Sequence, residues 1–145
     1  MKYIVLIPIY NERESLKELI EKINYEMKDL NSELSIVVIN DASSQQIVDT
    51  YTNTENINSI EIVNMKQNKG HARCIASGLK YIFEKKEFDY VIPMDGDGED
   101  RPEEIKNFIL KKTLGRVKIG IKPEEDSYCH QCERNWKSKK NKYQK

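Results

Sequence analysis

Three short segments of this chain are apolar at nearly every position, Ser35 being the exception, and each runs into a polar or acidic cluster. They are Tyr3 to Ile9, Leu34 to Ile39 and Tyr90 to Met94, ending in Tyr10-Asn11-Glu12, Asn40-Asp41 and Asp95-Gly96-Asp97-Gly98-Glu99. A strand with one wet face alternates apolar and polar residues, so a nearly unbroken run marks a strand covered on both faces. Ile60 to Met65 predicts a shorter strand, and Arg116 to Ile121 a fifth. Between the strands, apolar residues recur at helical spacing. Leu16, Leu19, Ile20, Ile23 and Met27 form one stripe, Ile75, Ala76, Leu79, Ile82 and Phe83 a second, and Ile105, Phe108 and Ile109 a third. Asn11-x-x-Glu14 reads as a capping box for the first helix. Pro102 falls in the first turn of the last helix, where its missing N–H costs nothing. Strands alternating with helices predict an α/β fold, a mostly parallel sheet with helices on both faces. Such sheets bind ligands beyond the carboxyl ends of their strands, and three polar clusters fall at that one edge.

A chain of 145 residues has the length of one domain with a real core. Its 24 basic residues balance 24 acidic ones, so no global charge draws it to nucleic acid. No apolar run approaches the roughly 18 residues of a membrane span. The first run is broken at Pro8, too soon for a signal peptide. Three cysteines, an odd number, fit a reducing compartment better than a disulfide framework, and a cytoplasmic protein is expected. Residues 1–122 are expected to form the folded domain and 123–145 a polar, basic, loosely ordered tail. The last thirteen residues carry six Lys or Arg against one acidic side chain, which suits solubilisation and would also tolerate anionic lipid. Cys129-His130-Gln131-Cys132 in that tail falls short of the four ligands of a structural zinc and has the wrong order for haem attachment. It reads as coincidence.

Asp95 and Asp97 are spaced i and i+2, which puts both carboxylates on one side of an extended chain. Carboxylates this close repel unless a cation lies between them. Mg²⁺ prefers one or two carboxylates plus the phosphates of a substrate. The segment therefore predicts a metal-diphosphate site at a strand end. A calcium loop would need Gly at its sixth position and Glu at its twelfth, where Asp100 and Lys106 stand. The plainer alternative is a solvated acidic turn in which Asp100 and Glu103 cap a helix. Asn68-Lys69-Gly70-His71-Ala72-Arg73 offers a glycine and cations before a helix, suited to close approach of a phosphate. Asp41 could accept from a base N–H or a ribose hydroxyl, and it or Ser43 could equally cap a helix. Glu12 is as readily a first-turn helix residue favoured by the macrodipole.

Read in order, Ile7-Pro8-Ile9-Tyr10-Asn11-Glu12, Val38-Ile39-Asn40-Asp41-Ala42-Ser43, Asn68-Lys69-Gly70-His71-Ala72 and Met94-Asp95-Gly96-Asp97 resemble the motifs of family 2 glycosyltransferases. The branch they are most similar to is the dolichyl- or polyprenyl-phosphate sugar synthases. The resemblance implies the Rossmann-like, nucleotide-binding half of a GT-A fold, spanning about residues 3 to 110. It implies that Pro8, Tyr10 and Glu12 line the nucleoside pocket, with Asn11, Gly70 and Gly96 also at the nucleotide sugar. Asp41 would hold the uracil or guanine edge. Asp95 would lie near the ribose and metal, Asp97 would be the catalytic metal ligand for Mg²⁺ or Mn²⁺, and Glu99 would be a further metal ligand. Four departures stand out: Asn40 where Asp is frequent, Ala42 where glycine is common, Glu99 where Gln is often found, and Asp100-Arg101-Pro102-Glu103 for a His-Pro-Pro-Glu-like turn. Gln131-x-x-Arg134-Asn135-Trp136 resembles the Gln-x-x-Arg-Trp motif of processive synthases with one residue too many.

The implied activity is metal-assisted transfer of a sugar from a UDP- or GDP-sugar to an acceptor, with inversion. A hydroxyl acceptor needs a general base, and Glu124, Glu125, Asp126 and His130 are the late candidates. A lipid phosphate, with a second pKa of about 6, is already anionic and needs none. A polyprenyl phosphate acceptor would imply peripheral contact with a membrane. The family's acceptor-binding half lies beyond the metal motif, so the chain reads as truncated after it. A non-catalytic nucleotide-sugar-binding module is therefore the alternative expectation. A nucleotidyltransferase would want a glycine-rich N-terminal loop with a basic residue, which is missing here.

Overall fold

The apolar segments do form strands, those at 3–9 and 34–39 buried on both faces and that at 90–93 only partly, and they lie in one four-stranded parallel sheet. The computed structural model describes residues 1–47, 51, 52 and 54–113. The element order is β1 (Lys2–Ile9), α1 (Arg13–Met27), β2 (Glu33–Asn40), β3 (Ser59–Asn64), α2 (His71–Lys85), β4 (Tyr90–Pro93) and α3 (Glu103–Thr113), and the strands lie in the sheet order β3-β2-β1-β4. The expected strand at 116–121 and the tail at 123–145, with Cys129, Cys132 and the late acidic and histidine candidates, lie outside the described residues.

β1 sits at the centre. It pairs with β2 along its full length, from Lys2↔Glu33 to Ile9↔Asn40, and with β4 from Tyr3↔Tyr90 to Leu6↔Pro93. Its side chains alternate between two cores. Tyr3, Val5, Ile7 and Ile9 face a layer built by Leu16, Leu19, Ile20, Ile23 and Met27 of α1 and by Ile105 and Ile109 of α3. Ile4 and Leu6 face the other side, where Cys74 and Ile82 of α2 meet Val37, Ile39 and Val91. Leu16, Ile20 and Ile23 are fully buried, and each such side chain contributes about 1.5–3 kcal/mol. The expected helices on both faces are therefore present.

Two helical expectations are corrected. Ala76 and Phe83 are exposed, and the buried stripe of α2 runs through Cys74, Gly78 and Ile82 instead. The reason is the close approach at Gly78: a Cβ there would stand 2.5 Å from Leu6 Cδ1 and 2.7 Å from Ile39 Cγ1. Seating the helix on its glycine turns Phe83 outward, where it meets Phe88 edge-on at 5.2 Å. The capping box is absent as well. Glu12 is the N-cap of α1, with no side-chain cap, and Asn11 has turned away from the helix.

Chain direction locates the binding edge. From β1 the chain moves through α1 to β2 and on to β3, whereas α2 returns it to the opposite side of β1. The sheet order thus switches between β1 and β4, the place where parallel sheets open a crevice. Pro8 helps open it. The Leu6 carbonyl accepts the Met94 N–H at 2.9 Å, so Leu6 directs its polar groups toward β4. Residues two apart share that orientation, and Pro8, two further on, has no N–H to continue the ladder.

Candidate functional site

All of the motifs singled out in the sequence, among the described residues, come to the carboxyl edge of the sheet. A cleft of about 280 Å³ there is lined by Pro8, Ile9, Tyr10, Glu12, Asp41, Asn68, Gly70, His71 and Cys74. That volume is near the lower end for small-molecule sites. Pro8 is buried in the cleft wall, and Tyr10 presents its ring half-exposed.

Asn11 holds the wall rather than the cleft. Its backbone is left-handed, with φ 56°, a conformation Asn tolerates better than most residues. Asn11 Oδ1 accepts from Ser44 N at 2.9 Å, Ser44 Oγ at 3.1 Å and Gln45 N at 3.3 Å. Its own N–H donates to Ser43 Oγ at 2.9 Å. The neighbouring turn is fixed in the same way: Asn40 Oδ1 accepts from Ser43 N at 3.0 Å, and Asn40 Nδ2 donates to Asn64 Oδ1 at 2.8 Å. These bonds tie together the tips of β1, β2 and β3. Ala42 lies in the middle of this turn with φ 58°, so the alanine occupies a conformation suited to the expected glycine.

Asp41 is buried, 3 % exposed, and its carboxylate accepts the N–H groups of Lys69 and Gly70, both at 2.8 Å. Gly70 is the N-cap of α2 with φ 84°, open space where a Cβ would be, and His71 is the helix's first residue. Neither Asp41 nor Ser43 caps a helix following β2 among the described residues; Asp41 acts at a distance, on the lead-in to α2. Cys74 donates Sγ–H to the Ile39 carbonyl at 3.4 Å. Burial, then the Asp41 charge, push that thiol up to about 11, which disfavours the reactive thiolate.

The β4 tip supplies the acidic side. The Asp95 N–H donates to Asp100 Oδ2 at 2.6 Å, and the Glu99 N–H donates to Asp97 Oδ1 at 2.9 Å. Asp100 thus closes the acidic loop and does not cap α3. Gly96 lies under the end of β1: a Cβ would stand 2.6 Å from Ile9 Cγ2, 3.0 Å from the Pro8 carbonyl oxygen and 3.2 Å from Glu12 Oε2. Only glycine lets the β4 tip come this close. His71 Nε2 lies 3.3 Å from Asp95 Oδ1, with both side chains about half-exposed. Burial pushes the Glu12 carboxyl up from the usual carboxylate range, and repulsion from Asp97 and Asp95 adds to it, against a backbone hydrogen bond from Tyr10 and attraction to His71. Glu12, Asp95, Asp97 and His71 therefore share one electrostatic neighbourhood.

Asp97 and Glu99 are exposed, and no three His, Cys, Asp or Glu side chains among the described residues form a ready cage for a metal ion. Carboxylate oxygens are nonetheless the donors a hard divalent cation takes when phosphate oxygens complete its shell. His71 had no distinguishing signal beyond its place at a helix start next to a glycine, and the Asn40–Asn64 and Ser43–Asn11 braces had none.

Comparison with known proteins agrees with this geometry. The chain matches the glycosyl transferase family 2 over residues 4–119. It is 31% identical over 124 residues to the undecaprenyl-phosphate 4-deoxy-4-formamido-L-arabinose transferase of Proteus mirabilis (strain HI4320), an alignment covering 83% of this chain and 36% of that protein. Among solved structures, S. aureus TarS 1-349 superposes with a TM-score of 0.59 at 25% identity, over 79% of this chain and 33% of that one. The same TarS region in complex with UDP-GlcNAc gives 0.59, and in complex with UDP 0.60, each at 25% identity and covering 79% of this chain and 32% of the other. The chain thus spans about a third of the length of these relatives. The sheet order, the placement of the motifs and the family match agree: the chain belongs to glycosyl transferase family 2.

Proposed function

We propose that this chain binds a UDP- or GDP-sugar at the carboxyl edge of its sheet and takes part in transferring the sugar to an acceptor, a polyprenyl phosphate. The observation that carries this reading is the convergence of Glu12, His71, Asp95 and the Asp97 charge beside a cleft lined by Pro8, Tyr10 and Asp41. Two likenesses support it: a TarS region solved with UDP-GlcNAc, and a relative named for undecaprenyl phosphate.

Pro8 and the Tyr10 ring offer apolar surface to the base, with Asn11 holding the wall behind them. The first turn of α2, which follows Gly70, offers the positive end of a helix to the phosphates. Asp95 and Asp97, with Glu99 as a further candidate, would hold Mg²⁺ or Mn²⁺. The cation would offset charge developing on the departing diphosphate. His71 and the Asp100 bond keep the β4 tip oriented toward that position. With a lipid phosphate as acceptor no general base is required, because the nucleophile is already anionic. Such an acceptor would bring the protein to the cytoplasmic surface of a membrane, and no helix among the described residues is long and apolar enough to cross one. In this reading residues 1–122 are the donor-binding unit and 123–145 an appended basic segment.

Calorimetry of the full chain with UDP- and GDP-sugars, with and without Mn²⁺, tests the proposal. Metal-dependent binding accompanied by sugar transfer or by hydrolysis supports it. Metal-dependent binding with no turnover of either kind leaves a nucleotide-sugar-binding module. Metal-independent binding, or none, removes both.

A further inference from the structure

The Asp41 carboxylate is buried at the tip of β2, yet both of its oxygens are engaged without any ligand. Oδ1 accepts the Lys69 N–H and Oδ2 the Gly70 N–H, each at 2.8 Å, from donors 28 and 29 residues away in sequence. The Gly70 N–H is shared with Asn68 Oδ1 at 3.1 Å, so the lead-in to α2 is held by the two Asp41 bonds together with this local one. The Gly70 carbonyl accepts the Cys74 N–H at 2.9 Å, the first bond of that helix, and His71 beside it faces Asp95 at 3.3 Å. No side chain caps α2 through the usual N-cap position. On its other side, Asp41 is fixed to β1 by its own N–H, which donates to the Ile9 carbonyl at 2.9 Å.

We propose that Asp41 is a positioning residue, a latch that fixes the 68–70 loop and the start of α2 so that one buried carboxylate sets the geometry of both the nucleoside and the diphosphate ends of the cleft. The ligand part of this inference rests on the proposed function; the latch itself does not. Charge-assisted bonds to two backbone amides in a buried setting are strong and directional. A contact made only with a base would leave the loop to find its own conformation. The latch instead makes phosphate binding depend on a buried residue of β2's tip that need not touch the phosphates itself.

Asp41→Asn tests this, because an amide keeps one acceptor oxygen and turns an NH₂ group toward the second N–H. Hydrogen exchange at Lys69 and Gly70 is expected to speed up roughly tenfold or more, the loss of one charge-assisted bond. Mn²⁺-pyrophosphate, which has no base, is expected to bind the variant about tenfold more weakly, as UDP does. Unchanged exchange at both amides, or weakened UDP binding with pyrophosphate binding intact, would overturn the latch and leave Asp41 as a base contact. Should the variant not fold, the wild-type chain still decides: Lys69 and Gly70 amides exchanging at the rate of an unstructured peptide contradict the proposal. If the wild-type chain binds neither UDP nor Mn²⁺-pyrophosphate, the functional reading fails while the exchange result continues to judge the latch.

Discussion

Asn11 has two sequence readings, a helix cap and a ligand contact, and its left-handed backbone decides against the first. The side chain reaches instead across to Ser44 and Gln45, a link between residues more than thirty apart that leaves no spacing for a sequence to display. Ala42 is more legible. A glycine is common at that place in the family, and the structure puts φ at 58° there. Ala42→Gly relieves roughly 1–2 kcal/mol of left-handed strain and gives back about 0.4–1 kcal/mol through a freer unfolded chain. A net stabilisation of about 0.5–1 kcal/mol should appear as a higher urea midpoint at unchanged slope. Glu12 provides a pH test. Its folded-state carboxyl is raised by burial and by Asp97 and Asp95, so ionising it disfavours the fold: the favourable contribution is complete below its unfolded pKa and is lost as pH rises through the folded one. Glu12→Gln should therefore melt higher than the parent chain at pH 7–8, with the difference closing on acidification toward about pH 4. A constant difference across that range would show that Glu12 does not titrate as described.

At the scale of elements, the four observed strands fall within a residue of the expected segments, most plainly β1 and β2, whose burial on both faces leaves a mark that no tertiary contact erases. The stripes of α1 and α3 are equally plain, because Leu16, Leu19, Ile20, Ile23 and Met27, and Ile105 and Ile109, do line one face each. α2 departs from its apolar pattern for a specific reason. Apolar spacing cannot register a glycine, and Gly78 is where that helix touches the sheet. Alanine favours helix by about 1 kcal/mol over glycine, yet here its methyl meets Leu6 and Ile39 below contact distance. Gly78→Ala should lower stability by about 1–3 kcal/mol, seen in chemical denaturation. A stabilised variant would mean that α2 stands further from the sheet. Gly96→Ala is the parallel case at the β4 tip, where the obstacle includes the Pro8 backbone. Metal-dependent nucleotide binding should fall more in that variant than in Gly98→Ala, where the cost is a left-handed φ of 86° and no atom blocks the methyl, and calorimetry separates the two.

For the whole molecule, the carboxyl-edge site follows from topology more than from any single motif. β2 and β4 flank β1 on opposite sides, so segments starting at residues 10, 41 and 95 emerge side by side. The clusters and the direction of the strands are legible in the sequence, which suffices to place them at one edge. The order of the strands, the Asp41 bonds to the α2 lead-in and the pairing of His71 with Asp95 are not. Those depend on which loops meet across a crevice.

The central claim is that acidic side chains at the β4 tip, with Glu12 close beside them, would hold one divalent ion together with a nucleotide's phosphates. Paramagnetic broadening by sub-stoichiometric Mn²⁺ in the presence of UDP, followed on the backbone amides of the full chain, tests it directly. The account predicts that Asn11, Glu12, Asp95, Gly96 and Asp97 broaden together, while Glu33 and Glu87 near the opposite edge of the sheet stay sharp. Broadening confined to either the 10–12 or the 95–99 segment, or spread equally over both edges, would contradict it.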